Sequence, residues 1–389
     1  MLNIFKYNLR IFPSIYFFST LQFVKKKYQV LLIYNSIMNR EYGKNNYFNN
    51  LIQTLDDNNI SYKVFEEFNF KNEHIIRDKG TISFDIITIL NIFFRRVSKF
   101  FGLNLKKINK FIFRNLQTDC VITMGQTFVN ELSYIYEKCN IYDLQHGILF
   151  PKHDSLNSLV NYSNLHVLLY GDFYKNNIIR KLSCSPKKLV SIGHPIYTKT
   201  ELNFENRSII LITSSIVNKG FYKENNFDLD ELIMLENKLI SSCLKLNNSS
   251  QFQIYFKPHP RVEKNILGMI SNLNDDRVTT YYENYNAIMN EIFINISIAS
   301  TSIIDFSAFG IPSYVALKDC SVNKKFNEYI FFEFYRYPLN TNHELEDLLN
   351  NYCKEENTYI NDSKKVYEWY WENHKEYDQT KFLDSIHKK

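Results

Sequence analysis

Short, continuous runs of apolar residues, each bounded by polar loops, recur along the chain and alternate with longer stretches of helical periodicity. In the first half these runs predict strands at 29–34 (QVLLIY), 61–65, 119–123 (DCVIT), 140–144 and 166–170 (HVLLY), with helices at 51–58 and 126–138. After Gly193-His194-Pro195 the alternation restarts with a strand at 208–213 (SIILIT). A helix at 228–246, strands at 253–256 and 278–281, a helix at 287–292, a strand at 294–298, a helix at 302–309 and a strand at 313–316 follow. The last stretch, 362–386, reads as helical and rich in aromatics. Alternation of this kind is the mark of parallel α/β architecture, and its restart predicts two such domains joined near 196–206.

Length agrees, because 389 residues exceed what one hydrophobic core usually serves. Aromatic residues make up 16% of the chain, which excludes a disordered or fibrous protein. No run of 18 apolar residues is present, so no spanning helix is expected. The N-terminal stretch imitates a signal peptide only faintly: Pro13, Ser14, Ser19, Thr20 and Gln22 interrupt it, and no small-residue cleavage site precedes Lys25. It reads as a structural helix or one lying on a membrane surface. The six cysteines include no CxxC pair and none stands at metal-ligand spacing from a histidine, the usage of a reduced, intracellular protein.

A net charge of +5 conceals an uneven distribution. Residues 1–30 hold five cations and no acid, and residues 93–114 hold seven cations, six Phe and no acid, which leaves the rest at −7. In the second segment Arg95, Arg96, Lys99, Lys106, Lys107 and Lys110 are interleaved with aromatics, a composition suited to an anionic membrane surface. The plainer reading is a helix with a Phe face in the core and a Lys face in water. Nothing resembles a nucleic-acid reading motif.

The candidate chemistry falls just after strands, where α/β folds bind ligands. Gln145-His146-Gly147 ends one strand with an imidazole and a turn, the place and residue type of a general base or of a loop histidine capping backbone. Lys257-Pro258-His259-Pro260-Arg261 fixes an imidazole between two prolines and two cations, which suits an anionic group such as a phosphate. Ser300-Thr301-Ser302 opens a helix and either binds phosphate or serves as an ordinary N-cap, with Asp305 completing a capping box or reaching a ribose hydroxyl. Ser214 and Ser215 close the first strand of the second domain without a glycine fingerprint. Gly125 and Gln126 form a further loop expected at a cleft, and His194 either lines that cleft or turns the chain at the domain junction.

In order, QHG, GHP, KPHPR and STSxxDxxxxGxP resemble GT-B glycosyltransferases of bacterial surface polysaccharide synthesis. The likeness extends to capsule-synthesis transferases, bacterial sialyl- and polysialyltransferases and CDP-glycerol glycerophosphotransferases, and covers about residues 119–320. It implies an α/β GT-B fold: two Rossmann-like doubly wound domains (1–200 and 201–365) facing across a cleft, with a C-terminal helix (366–389) packing across. It also implies that Lys257, His259, Arg261, Ser300, Thr301 and Ser302 hold the donor phosphate, with Ser214, Ser215 and Asp305 nearby. His146 would be the base, as in the glycerophosphotransferases, where sialyltransferases carry an acidic pair; Gln145, Gly147, His194, Gly125 and Gln126 would line the cleft. The expected reaction is metal-independent transfer of a sugar to a glycan or lipid-linked acceptor, without a cofactor, on the inner face of the cytoplasmic membrane. A CMP-sugar is the favoured donor, with CDP and UDP donors compatible. The alternatives are polyol-phosphate transfer from a CDP donor, a nucleotide-sugar 2-epimerase, and a non-catalytic membrane-associated binding protein.

Overall fold

The uninterrupted apolar runs become the inner strands of two parallel sheets. A computed structural model describes residues 10–39, 44–68, 76–101, 104–125, 128–146, 161–173, 175–176, 185–216, 228–245, 252–259, 262, 264–283, 285–298, 300, 302–315 and 345–387. The chain divides into two compact units, Met1–Thr198 with His374–Lys389, and Lys199–Asn373.

The first unit runs α1 (Ile11–Phe23), β1 (Lys26–Asn35), α2 (Asn49–Asp57), β2 (Tyr62–Glu67), β3 (Ile82–Ser83), α3 (Asp85–Phe101), α4 (Leu105–Phe113), β4 (Leu116–Met124), α5 (Val129–Ile135), β5 (Asn140–Leu144), β6 (Leu165–Leu169) and β7 (Leu189–Ser191). Its strands are all parallel, in the order β3-β2-β1-β4-β5-β6-β7. Cys120, Val121 and Ile122 are buried in succession because helices cover both faces of β4, so the run is apolar rather than alternating. The basic segment 93–114 is parts of two helices, α3 and α4, with a break between them.

The second unit contains β8 (Ile209–Thr213), α6 (Leu229–Leu244), β9 (Gln253–Lys257), α7 (Lys264–Leu267), β10 (Val278–Thr280), β11 (Ile292–Ser297), α8 (Ile303–Ser307), β12 (Ser313–Val315), α9 (Leu345–Lys354) and α10 (Glu356–Asn373). Its five strands are parallel in the order β10-β9-β8-β11-β12. Asp228 caps α6, its carboxylate accepting from Asp230 N at 2.9 Å. Ile210, Ile212, Leu232, Ile240, Phe256 and Ile294 form the core between α6 and the sheet.

The single C-terminal helix expected over 366–389 is instead two helices, α10 in the second unit and α11 (Gln379–His387) in the first. The break has a physical cause. Residues 374–378 run beside 192–194, where His194 N donates to Lys375 O at 2.7 Å and Asp378 N to Ile192 O at 2.7 Å. Gly193 sits at φ +85°, and a Cβ there would lie 1.9 Å from Glu376 O, so only glycine allows this approach. Phe382 and Ile386 of α11 then join the core over β1 and β5.

His194 belongs to this junction. Its ring is fully buried and stacks on Tyr197 at 4.2 Å, and Nδ1 accepts from the backbone N–H groups of Ile196 and Tyr197, both at 3.2 Å. Burial, reinforced by His374, lowers its pKa well below the ordinary histidine value. The unfolded chain therefore takes up a proton that the folded chain refuses. The first unit is expected to lose stability as pH falls below about 6.5, where an unfolded histidine charges. Urea midpoints at stepped pH check this, and His194→Gln is expected to flatten the slope there.

Candidate functional site

In each sheet the strand order reverses once, and the loops at the carboxyl ends of the two strands flanking that reversal are where open α/β sheets bind ligands. In the first unit the reversal lies between β1 and β4. Register places Tyr34 beside Met124 and Met124 beside Leu144, so Asn35, Gly125 and Gln145 leave the sheet at one level. His146 follows and is half-buried. Gly125 has φ +69°, and a Cβ there would meet Met38 Cε at 2.7 Å and the His146 ring at 3.8 and 3.9 Å. The positive φ and the Met38 methyl are what call for glycine at the end of β4, and the imidazole of His146 lies within ordinary contact of that position.

Gln145, expected to line a cleft, is buried and acts as a strut. Its side-chain oxygen accepts from Tyr170 N at 2.8 Å and its own N–H donates to Leu168 O at 2.9 Å, which fixes the residue before His146 to β6. Beneath it Thr123 Oγ1 donates to the buried Asp143 Oδ1 at 2.9 Å. At the same edge, Glu67 lies beside Asn35, from which it accepts at 3.0 Å, and accepts from Thr88 at 3.1 Å. Burial pushes its carboxyl up to about 7, against the pull of those two bonds.

In the second unit the reversal lies between β8 and β11. Thr213 is level with Lys257 on one side and Ser297 on the other. The loops beginning at Ser214, Pro258 and Ile298 therefore leave from one edge, which brings Ser214 and Ser215, His259, and Ser300 and Ser302 to the same end of the sheet. Ser300 and Ser302 pair through their hydroxyls at 2.7 Å, and Ser302 N donates to Ser300 Oγ at 3.3 Å. The capping box is not formed: Ser302 occupies the N-cap of α8, a helix of five residues, without a side-chain bond to the backbone. Asp305 is half-buried on its first turn. His259 is half-buried in a turn closed by Val262 N donating to His259 O at 2.9 Å.

Two expected phosphate contacts are turned to other work. Lys257 Nζ donates to Tyr282 O at 2.9 Å and to Glu283 O, so its ammonium ties β9 to the segment after β10. Ser214 is buried, and its hydroxyl donates to the carboxylate of Glu236 at 2.8 and 2.9 Å. Gln126, Gly147, Arg261 and Thr301 lie outside the described residues.

Glu236 is the residue that sequence reasoning missed. Fully buried on α6, it also accepts from Ser215 N at 2.8 Å, and so holds the loop after β8 from beneath. Burial drives its carboxyl up to about 7, against the pull of the Ser214 hydroxyl and the Ser215 and Ile216 N–H groups. A signal was present: in 232–240 (LIMLENKLI) it is an acid on the same helical face as Leu232, Leu239 and Ile240. Glu236→Ala leaves a buried hydroxyl and a backbone N–H without an acceptor, at about 1–3 kcal/mol each. That variant is expected to be less stable to urea, whereas Glu236→Gln, which keeps one acceptor oxygen, is expected to recover most of the loss.

The fold has solved counterparts. UDP-GlcNAc 2-epimerase from Neisseria meningitidis bound to UDP-GlcNAc superposes with TM-score 0.55 at 12% identity, over 93% of this chain and 99% of that one. The wall teichoic acid polymerase TagF, in a form soaked with CDPG, superposes with TM-score 0.55 at 11% identity over 95% and 92%. The S. aureus MnaA–UDP co-structure gives 0.51 at 11% over 92% and 96%. The chain has the GT-B fold. No protein-family model matches it, and no curated protein does. Among the described residues no helix is long and apolar enough to cross a membrane.

Proposed function

We propose that the protein is a nucleotide-dependent transferase of cell-surface glycan synthesis, in which His146 accepts the acceptor's proton and the second unit holds the donor. The observation that carries this reading is the distribution of polar groups over the two strand-order reversals. A single imidazole stands beside Gly125 in the first unit; two paired serine hydroxyls, a second imidazole and the Ser214–Ser215 loop gather in the second. An acceptor hydroxyl gives its proton to His146, its oxygen bonds to the anomeric carbon of the sugar, and the bond from that carbon to the phosphate oxygen breaks. The departing nucleotide keeps the electron pair, and fixed donors at His259, Ser300 and Ser302 meet its charge.

The donor in this proposal is a nucleotide-activated sugar. A CMP-sugar was the donor expected from the sequence, and the likeness to proteins bound to UDP-GlcNAc and soaked with CDPG supports UDP and CDP donors as well. Transfer of a polyol phosphate from a CDP donor is the second reading, favoured by the TagF likeness; attack then falls on phosphorus. Epimerisation is a further reading: the loops 125–127 (GQT) and 145–150 (QHGILF) contain no carboxylate, and the acid at that sheet edge, Glu67, accepts from Asn35 and Thr88. The acceptor is a glycan or lipid-linked glycan at an anionic membrane surface, to which the cations of α3 and α4 are suited. Arg96, Lys106 and Lys107 are exposed; Arg95 pairs with Glu131, and Lys110 with Glu137 at 2.9 Å, both at the surface where such pairs contribute little.

A thermal-shift screen against CMP, CDP, UMP, UDP and GDP tests the reading and ranks the bases. A ligand at 100 times its dissociation constant adds about 2.7 kcal/mol, a readily measured rise in melting temperature. Stabilisation by one base over the others is the expected result; no response to any of them would overturn the proposal.

A further inference from the structure

Helix α1 is apolar on two opposite faces, and only one of them is used by the fold. At 100° per residue, Ser14, Phe17, Phe18 and Leu21 share the inward side and are all buried. Phe12, Tyr16 and Phe23 fall on the opposite stripe and are 85%, 76% and 89% exposed. This is not a loose end of chain. Arg10, counted among the N-terminal cations, turns inward: its guanidinium donates to Asp78 O at 2.5 Å and Thr81 O at 2.6 Å, and its backbone N–H to Asp85 Oδ2 at 2.6 Å. At the other end Asn115 Nδ2 donates to Leu21 O at 2.7 Å. The fold therefore clamps α1 at both ends with three large aromatic rings facing water.

We infer that this face is a membrane-insertion surface, and that its occupant is the interfacial layer of an anionic lipid bilayer. The charge around it argues for lipid. Lys25 is exposed just beyond Phe23, Lys27 is exposed there and faces Asp119 at 3.8 Å, and the bond from Asn115 to Leu21 brings the end of α4, with exposed Phe111 and Arg114, to the same end of α1. Aromatic rings flanked by cations match acyl boundary and anionic headgroup respectively. A second copy of the chain fits poorly, because a two-fold contact would set like cations against each other. The inference rests on the reading that the enzyme works at a membrane and adds apolar insertion to electrostatic attraction.

Co-sedimentation of the full chain with phosphatidylcholine/phosphatidylglycerol vesicles tests it. A bound fraction is expected to persist at about 0.5 M NaCl, where the screening length is about 4 Å. The variant Phe12→Ser/Tyr16→Ser/Phe23→Ser is expected to lower that salt-resistant partition at least about tenfold, while its nucleotide-induced thermal shift is unchanged. Phe23→Trp is expected to blue-shift on binding and to be quenched by brominated lipid. Wild-type binding that salt abolishes entirely, or an unquenched Phe23→Trp on bound protein, overturns insertion alone and leaves the electrostatic reading standing. No binding to any vesicle overturns both. Wild-type dimers in sedimentation velocity that the triple serine variant converts to monomers would assign the face to self-association instead.

Discussion

Replacing His146 with alanine is expected to slow transfer by about 10²–10⁴-fold and to leave nucleotide affinity unchanged. The argument is one of location. His146 stands at the strand-order reversal of the first sheet, on a different unit from every group assigned to the donor phosphate. Its loss removes a proton acceptor for the acceptor hydroxyl and nothing that holds the nucleotide. His259→Ala is the mirror experiment: loss of a charge-assisted bond to phosphate is expected to weaken nucleotide binding about 10–100-fold. Isothermal titration with the nucleotide ranked first in the thermal screen, alongside initial rates with its activated donor, separates the two. A His146→Ala protein that remains folded and transfers at the wild-type rate would remove the imidazole from the mechanism. Gln145→Ala supplies an intermediate case. It frees the strut to Tyr170 N that fixes the residue before His146, so a fall in kcat without change in nucleotide affinity is expected.

What the sequence made legible follows from where burial leaves a mark. Inner strands of a parallel sheet lose contact with water on both faces, so β1, β4, β8 and β11 read as unbroken apolar runs. Strand β3, of two residues, is too short to carry a pattern. The helical reading of 362–386 followed composition alone; the break at 374–378 is set by pairing with 192–194, far away in sequence. Candidate chemistry was legible as residue types after strands, but not the direction in which each side chain is spent. Ser214 and Lys257 bond within the protein, Gln145 braces β6, and Glu236 supports a loop from inside a helix. Arg10 shows the same limit: a cation in a basic segment reads as surface charge until its partners, 68 to 75 residues away, are in place.

The largest stability effect is expected from Arg77. Its guanidinium joins two carboxylates that are completely buried, donating to Asp85 Oδ1 at 3.0 Å and Oδ2 at 3.2 Å and facing Glu66 Oε1 at 2.9 Å as an ion pair. Asn39 donates to Glu66 Oε1 at 2.8 Å and Thr81 to Oε2 at 3.0 Å. Burial pushes the Glu66 carboxyl up, with Arg77 the main opposing influence. Asp85 also stands in the first turn of the long helix α3, at the positive end of its dipole. Arg77→Met keeps a similar stem but takes away the nearer of the two guanidiniums at Glu66, leaving Arg10 at 3.5 Å from Glu66 and Asp85 without a cationic side-chain partner, a loss of about 3–5 kcal/mol. For a unit of this size that corresponds to about 6–20 °C in melting temperature. Both tryptophans, Trp369 and Trp371, lie in the second unit, so fluorescence and far-UV circular dichroism report different parts of the chain. The dichroism transition is expected to begin earlier while the tryptophan transition moves less, and an unmoved dichroism curve would show that the network contributes nothing net. Adding Glu66→Leu to Arg77→Met is expected to recover part of the loss, because one of the two buried carboxylates is then replaced by apolar volume.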